Sequence, residues 1–168
     1  TDAENDLIVA DYFAMLADDI SARRALTGRM WTANSLKFML DGVIDTGTAW
    51  LEEPDTHGDG RDPMWPDLEH YRRTIKRFHD QGFFITTHAI GDRAVREVLD
   101  AYAGAGGSNG RHRIEHIEAP SPESQRRFLT EKVNASMQPV HLRWLNPDMS
   151  DPWSERLGVH RCAHTMPS

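Results

Sequence analysis

The chain has 168 residues and a net charge of −7, from 19 basic and 26 acidic side chains. The length suits one domain with a sizeable core, and the acidic balance argues against a surface for nucleic acid or anionic membrane, because phosphate binding needs clustered positive charge. The sequence lacks a long apolar run and a basic-then-apolar leader, and its single cysteine, Cys162, excludes an internal disulfide framework and a cysteine-based zinc finger. We therefore expect a cytoplasmic protein.

The first part of the chain alternates between strand-like and helix-like patterns. Residues 6–15 predict a strand, residues 16–26 predict a helix, and residues 35–44 predict a second strand that runs into a turn. Residues 45–66 are rich in Gly, Asp, Pro and Thr and predict a long loop. Loops of this length in compact domains are often functional.

The remainder continues the alternation. Predicted helices cover residues 67–81, 93–103 and 121–129, and predicted strands cover residues 82–91, 111–119 and 132–142. Asp92 is placed as the cap of the second of these helices. Strands that look buried on both faces and alternate with helices are typical of a parallel sheet with right-handed crossovers. The predicted fold class is α/β, a doubly wound sheet or part of a (β/α) barrel, without an internal domain boundary.

Two of the 9 histidines fall near the carboxyl ends of successive predicted strands, His88 on one and His116 on the next. In parallel α/β folds ligands and catalytic groups gather at this edge, because the loops after the strands converge there. Neighbouring strand ends can bring two imidazoles within reach of one metal ion. The alternative is that each imidazole is hydrogen-bonded within the wall of the sheet.

Lys37 lies in an apolar predicted strand, where burial of a charged ammonium is costly. The amine either extends to solvent from the strand edge or is neutral or converted to a carbamate by carbon dioxide. A carbamate is anionic and offers two oxygens, so it can bridge two divalent metals about 3.5–4 Å apart.

Four segments in order, LKFMLDGVIDTGTAWL, THAIGDRAVREVLDAY, RHRIEHIE and ASMQPVHL, resemble the ordered blocks of the amidohydrolase superfamily over residues 35–142. Within it they are most similar to the YtcJ-like branch, which includes N-substituted formamide deformylases. The resemblance implies a (β/α)8 TIM barrel with a small β-sandwich. It also implies one or two divalent metal ions that activate water for attack on amide-like, non-peptide carbon–nitrogen bonds.

The resemblance also implies roles for individual residues. Lys37 matches the commonly carbamylated lysine of the fourth barrel strand, and His88 and His116 match the metal-binding histidines of the fifth and sixth strands. Gln138 and His141 would face the substrate. Zinc is the metal expected first, with manganese or iron as alternatives.

The sequence departs from the family pattern in two places. It contains no His-x-His pair, which the family carries on its first strand, and Asp148 and Asp151 lie in a Pro-rich tail rather than at the end of a closing strand. We therefore expect roughly strands three to seven of a barrel, with no catalytic proton-shuttle Asp and little activity in this chain by itself. Open barrel edges predict self-association, and the expected partner is a small amide-like molecule.

Other interpretations of these residues stay open. A non-catalytic α/β module that binds a small molecule or a partner would also lack part of the ligand set. A doubly wound sheet with a phosphate at Gly91-Asp92 is a further alternative, carried only by one glycine before a helix. Asp92 could support a metal ligand instead of capping a helix, and Arg113 with Glu115 is expected to form a buried structural pair.

Overall fold

The structure, a computed structural model, describes residues 18–20, 22 and 25–165. The chain divides into two compact units, Thr1–Ser35 and Leu36–Ser168. In the first unit β1 (Thr27–Gly28) and β2 (Trp31–Thr32) form an antiparallel hairpin. The predicted strand over residues 6–15 lies outside the described residues, and of the predicted helix over 16–26, residues 18–20 and 22 are helical while residue 25 lies in a turn.

A four-stranded sheet with the order β3-β4-β5-β6 forms the centre of the rest of the chain. Its strands are β3 (Ser35–Met39), β4 (Phe84–Ala89), β5 (Arg113–His116) and β6 (Asn134–Ser136). The helices are α1 (Leu68–Asp80), α2 (Asp92–Ala105), α3 (Pro122–Thr130), α4 (Pro152–Leu157) and α5 (Val159–Thr165). Strands β4, β5 and β6 are parallel and are connected in turn by α2 and α3. The α/β class is thus confirmed.

The helix boundaries follow local capping chemistry. The Asp67 carboxylate accepts a hydrogen bond from the Glu69 N–H at 2.9 Å and starts α1, and the Ser121 hydroxyl accepts one from the Ser124 N–H at 3.1 Å and starts α3. Both starts were predicted. The cap predicted at Asp92 is wrong, because α2 begins at Asp92 itself, and its carboxylate accepts the distant Glu52 N–H at 2.8 Å.

The strands are shorter than predicted, and the outer two are more exposed. Most residues of β3 and β6 are exposed, so only the inner strands show the expected burial. The predicted strand over 132–142 is wrong beyond Ser136, because Pro139 cannot donate to a strand ladder and a 3₁₀ helix, Pro139–Trp144, starts there. The long loop is confirmed: a 3₁₀ turn covers Ile44–Thr46, and residues 47–66 contain neither strand nor helix.

Two groups of buried side chains hold the second unit together. Beneath β4, the Tyr102 hydroxyl donates to Thr87 Oγ1 at 2.9 Å, and the Tyr71 hydroxyl lies 3.3 Å from the same atom. At the carboxyl edge of the sheet a separate apolar cluster joins the long loop, the strand ends and α4; it consists of Ile44, Ala49, Leu51, Ile90, Ala119, Trp153 and Leu157. This cluster fixes the loops that surround the strand ends. None of the described helices has the length and apolar composition needed to cross a bilayer.

The buried imidazole of His112 should make stability depend on pH. Its Nδ1 accepts the Ile85 N–H at 3.2 Å, so its Nε2–H donates to His79 Nδ1 at 2.8 Å. Burial, together with His79, lowers the pKa of His112 from 6.5 to about 4. The unfolded chain therefore binds more protons between these values, and the contribution of His112 is complete above pH 6.5 and is lost as the pH falls to about 4, which amounts to about 3 kcal/mol.

Urea denaturation between pH 4 and pH 7 measures this effect. The free energy of unfolding should fall with acidification more steeply in the wild type than in His112→Asn, whose side-chain oxygen can still accept the Ile85 N–H. Equal slopes in the two proteins would show that His112 is not the acid-sensitive group.

Gly91 should be intolerant of any side chain. A Cβ at this position would overlap the carbonyl oxygen and carbon of Trp50, which are backbone atoms and cannot rotate away. Gly91→Ala should therefore cost about 3 kcal/mol by overpacking. The matched position is Gly104 in α2, where an added Cβ would have no atom within 4 Å. Gly104→Ala should therefore stabilise the helix by about 0.5–1 kcal/mol. Thermal melting of the two variants should move in opposite directions, and a shared direction would refute the packing argument.

Candidate functional site

His88 lies near the carboxyl end of β4 and is 6% exposed. Its Nε2 lies 2.8 Å from the Gly42 carbonyl oxygen and 3.6 Å from Asp41 Oδ1. Because a carbonyl can only accept, Nε2 carries the hydrogen and the basic nitrogen of the neutral ring is Nδ1. Burial lowers the pKa of His88, with smaller contributions from the nearby charges of His116 and Lys37, which favours the neutral imidazole.

A left-handed turn of the backbone at the end of β5 places the imidazole of His116 beside that of His88. The strand register pairs His88 with Glu115 and Ala89 with His116, so a regular strand would place the two imidazoles on opposite faces of the sheet. Instead the backbone turns left-handed, with φ of 76° at His116 and 56° at Ile117, a conformation that a β-branched residue rarely adopts. The two imidazole centroids are then 4.6 Å apart. The predicted juxtaposition of these two histidines is present.

The ring of His116 is oriented by Gln138. The Gln138 amide nitrogen donates to the Ser136 carbonyl at 3.1 Å, so its Oε1, 2.8 Å from His116 Nδ1, accepts the Nδ1–H. The basic nitrogen of His116 is therefore Nε2. In the described part of the chain, neither His116 Nε2 nor His88 Nδ1 makes a hydrogen bond.

Lys37 does not join the two histidines directly. It lies on β3, next to β4, and it is exposed, in agreement with the alternative in which the side chain extends to solvent from the strand edge. The alternation of exposed and half-buried residues along β3 gives the reason: this strand is at the edge of the described sheet and only one face is covered. The ammonium is still near enough to His88 to lower the pKa of the imidazole.

The donor chemistry of the two imidazoles suits a divalent metal. Metal-binding histidines usually donate the second ring N–H to a carbonyl or a similar acceptor, as both rings do here. A catalytic zinc takes three protein ligands, and no set of three His, Cys, Asp or Glu side chains within the described ranges could hold an ion. The described residues thus fit part of a metal site.

A cavity of about 220 Å³ opens beside the two histidines. Its walls include both imidazoles, the carboxylate of Glu118 and the aromatic rings of His141, Trp144 and Trp153. Its lining residues include parts of the segments that follow β3, β4, β5 and β6, as expected for the carboxyl edge of a parallel sheet. The cavity combines imidazoles, three acidic residues (Asp45, Glu118 and Asp151) and apolar walls, and pockets that combine apolar walls with a few polar groups are common small-molecule sites.

Glu118 and His141 form a pair that the sequence did not reveal. His141 lies on the 3₁₀ helix after β6, and its Nδ1 is 2.8 Å from Glu118 Oε1, while the Trp153 indole N–H donates to Glu118 Oε2 at 2.9 Å. The position of Glu118, two residues after a candidate ligand, was the available signal. His141 was expected at the substrate pocket and lines the cavity; Gln138 lies against His116 instead of among the cavity-lining residues.

Asp41 is a second residue that sequence reasoning overlooked. It is 0% exposed, and its carboxylate accepts the N–H groups of Trp50, Ile90 and Gly91 at 2.9, 3.0 and 2.9 Å. Burial raises the pKa of Asp41 to about 7, and these three donors oppose that rise. The carboxylate joins the long loop to the end of β4 beside His88. An acidic residue at the end of an apolar run was the signal.

A phosphate at the start of α2 is not supported by the geometry. The Gly91 N–H donates to Asp41, the Arg93 N–H to Asp92 and the Ala94 N–H to the Trp50 carbonyl. These donors already have partners, two of them carboxylates that would repel an anion.

The Arg113–Glu115 pair and the two aspartates of the C-terminal part, Asp148 and Asp151, form local structural contacts. Arg113 and Glu115 do pair at 2.6 Å, but with 52% of the arginine exposed the pair is not buried as expected. Asp151 caps α4 by accepting the Ser154 N–H at 2.8 Å, and Asp148 accepts the Ser150 N–H at 3.1 Å.

Comparisons with known proteins identify related chains. The model of the amidohydrolase family matches residues 10–167. A putative amidohydrolase, YtcJ, of Bacillus subtilis (strain 168) is 30% identical over 81% of this chain and 25% of its own length. The protein LONG AFTER FAR-RED 3 of Arabidopsis thaliana is 30% identical over 75% of this chain and 22% of its own length. This chain thus spans about a quarter of the length of these relatives.

A solved structure supports the same relationship. An uncharacterized metal-dependent hydrolase from Pyrococcus furiosus superposes with a TM-score of 0.65 at 30% identity. The match covers 81% of this chain and 28% of that protein.

Proposed function

The chain belongs to the amidohydrolase family, and we propose that the intact protein is a metal-dependent hydrolase of amide-like, non-peptide carbon–nitrogen bonds. The metal-dependent hydrolase with a similar fold supports metal use and hydrolysis, and the YtcJ-like relative supports the amide-like substrate class. The assignment as a hydrolase rests on the family match and the similar structure, whereas the type of bond rests on the YtcJ relative alone.

The observation that carries the proposal is the pairing of His88 and His116. Their ring centroids are 4.6 Å apart, and the N–H of each ring donates to an oxygen acceptor. His88 Nδ1 and His116 Nε2 would hold a divalent ion, zinc first, or manganese or iron. Lys37, on the adjacent strand, would contribute as a carbamate. Such an ion would lower the pKa of a water and polarise the substrate carbonyl.

The protein groups around this pair have distinct tasks. The Gly42 carbonyl and the Gln138 amide hold the two imidazoles in the tautomers that leave one nitrogen basic on each. Trp153, which is 7% exposed, gives the cavity a buried apolar wall, which would keep water from one side of a bound amide and strengthen its polar contacts. His141, which lines the cavity, would contact the substrate, whereas Gln138, also expected at the substrate, would act through the ring of His116.

We also propose that the described sheet is part of a (β/α)8 barrel, with this chain supplying roughly strands three to seven as one domain. The parallel order of β4, β5 and β6 with intervening helices supports this arrangement. Strands β3 and β6 are the outer strands of the described sheet; in a chain by itself they would promote self-association. Such a chain would have little activity, because its described residues supply only part of a metal site.

Chelation and reconstitution of the intact protein test the proposal. Wild-type protein should hydrolyse N-substituted formamides, lose the activity after chelation and regain it with Zn²⁺, Mn²⁺ or Fe²⁺. The isolated 168-residue chain should show little or no hydrolysis. Full activity after complete removal of metal would contradict the proposal, and tight amide binding without turnover would instead favour a non-catalytic module.

A further inference from the structure

One side of the cavity beside the paired histidines is apolar and continues into the protein core. This side is the apolar wall, and it is formed by Val43, Ile90, Leu145, Pro152 and Trp153. Ile90 and Trp153 are 1% and 7% exposed and belong to the apolar cluster at the carboxyl edge of the sheet, and Leu145 packs against that cluster. The apolar wall is therefore backed by packed side chains and has its shape before a substrate enters.

Val43 lies on the loop after β3, and hydrogen bonds hold its backbone in place. Its carbonyl oxygen accepts the N–H groups of Thr48 and Ala49 at 3.0 and 3.1 Å, and its own N–H donates to Thr48 Oγ1 at 3.0 Å. Its backbone is extended, with φ of −127° and ψ of 155°, which suits aromatic as well as β-branched side chains. Val43 is 39% exposed, so a change in its size alters the cavity without opening a void in the core.

The acidic residues of the cavity are already hydrogen-bonded or solvated. Glu118 accepts the Trp153 indole N–H at 2.9 Å, and Asp151 accepts the Ser154 N–H at 2.8 Å. Asp45 is exposed, so water solvates its carboxylate. A positively charged substituent would gain little from carboxylates that have partners, and it would lose its own solvation against the apolar wall. The cavity therefore suits an uncharged substituent better than a cationic one.

The size of the cavity limits the substituent that the apolar wall can cover. Its volume of about 220 Å³ corresponds to about seven groups of the size of a water molecule, at about 30 Å³ each. The carbon, nitrogen and oxygen atoms of a formamide take about three of these spaces, which leaves room for about four carbons. In a formamide the substituent on nitrogen is the only other part of the molecule, so it must occupy the remaining space.

We propose that the apolar wall binds an uncharged, apolar substituent of about four carbons on the nitrogen of the scissile amide, with Val43 and Leu145 as the residues that set its length; this inference rests on the proposed function. The substituent is remote from the reacting carbonyl and contacts the apolar wall equally in the ground state and in the transition state. The gain in affinity, about fourfold for each buried methylene, therefore lowers KM and leaves kcat unchanged.

The test is a series of N-alkyl formamides, from methyl to hexyl, with the intact metal-loaded protein. Through KM, kcat/KM should rise about fourfold per methylene up to butyl and less than about twofold per methylene beyond it, with kcat constant within about threefold. N-(3-aminopropyl)formamide has the shape of N-butylformamide with a charged end, and its kcat/KM should be at least about tenfold lower. A series without this rise, or a preference for the ammonium substrate, would overturn the inference.

Variants of Val43 and Leu145 test the limit itself. Val43→Phe narrows the cavity and should raise KM for N-butylformamide about tenfold, while KM for N-methylformamide should stay within about twofold. Val43→Ala and Leu145→Ala should each extend the rise to longer chains. Val159→Phe makes the same change at a position on α5 that is 62% exposed and does not line the cavity, and it should behave as wild type. Equal losses on both substrates in Val43→Phe, or kinetics like those of Val159→Phe, would refute the role of Val43.

The proposed function and this inference fail in different ways. If wild-type protein hydrolyses no member of the series, the proposed function fails, and this inference fails with it. If wild-type protein hydrolyses N-methylformamide and N-butylformamide with the same KM, hydrolysis of formamides stands and this inference alone is refuted.

Discussion

Replacing His88 by alanine should lower kcat/KM of the intact protein for a formamide substrate by at least about a thousandfold. The imidazole is one of the two proposed metal ligands, and its Nε2–H is committed to the Gly42 carbonyl at 2.8 Å, so Nδ1 is the nitrogen left to hold the ion. Metal polarisation of a carbonyl and a water contributes several kcal/mol to catalysis, and about 4 kcal/mol corresponds to a thousandfold in rate. Steady-state kinetics with purified, metal-supplemented protein measure the loss.

A matched histidine change provides the control. His57 is 46% exposed in the long loop and lies 3.7 Å from Glu155, away from the residues that line the cavity. His57→Ala should retain wild-type kinetics. If His88→Ala retained them as well, the pair of histidines at the strand ends would not be the catalytic centre.

Replacing Asp41 by alanine should cost about 3–5 kcal/mol in the free energy of unfolding, because each buried N–H that loses its acceptor costs about 1–3 kcal/mol. Three backbone N–H groups, from Trp50, Ile90 and Gly91, would lose their acceptor in a site that water does not reach. The long loop would then separate from the end of β4. Urea denaturation measures the loss, and hydrogen exchange should show the Trp50, Ile90 and Gly91 amides among the most deprotected.

Two further variants separate charge from hydrogen bonding. Asp41→Asn keeps the shape and one acceptor oxygen, so its loss should be smaller than that of the alanine variant. Asp80→Ala removes an exposed carboxylate that pairs with Lys76 at 2.9 Å, and such a pair contributes only about 0.3–0.5 kcal/mol. Equal destabilisation by Asp41→Ala and Asp80→Ala would contradict the role given to Asp41.

The sequence was most informative where local chemistry and burial agree. The starts of α1 and α3 followed from Asp67 and Ser121, because a capping side chain acts within three residues. The location of His88 and His116 at one edge of the sheet followed from the parallel order, since consecutive parallel strands end at the same edge. Such features need no knowledge of distant contacts.

The features that the sequence did not predict depend on contacts between segments far apart in the chain. The left-handed backbone at His116 and Ile117 has no local signature, yet it moves one imidazole to the face of the other. Asp41 is explained by donors about 50 positions away. The place of Glu118 in the cavity wall depends on its hydrogen bond to His141, which lies on the 3₁₀ helix after β6.

Elemental analysis of the intact protein tests the central claim most directly. Wild-type protein should contain one or two equivalents of a divalent metal, and the double variant His88→Ala/His116→Ala should contain substantially less after the same purification. A wild-type protein without bound metal, or a double variant with undiminished metal content, would contradict the assignment of these two histidines as ligands.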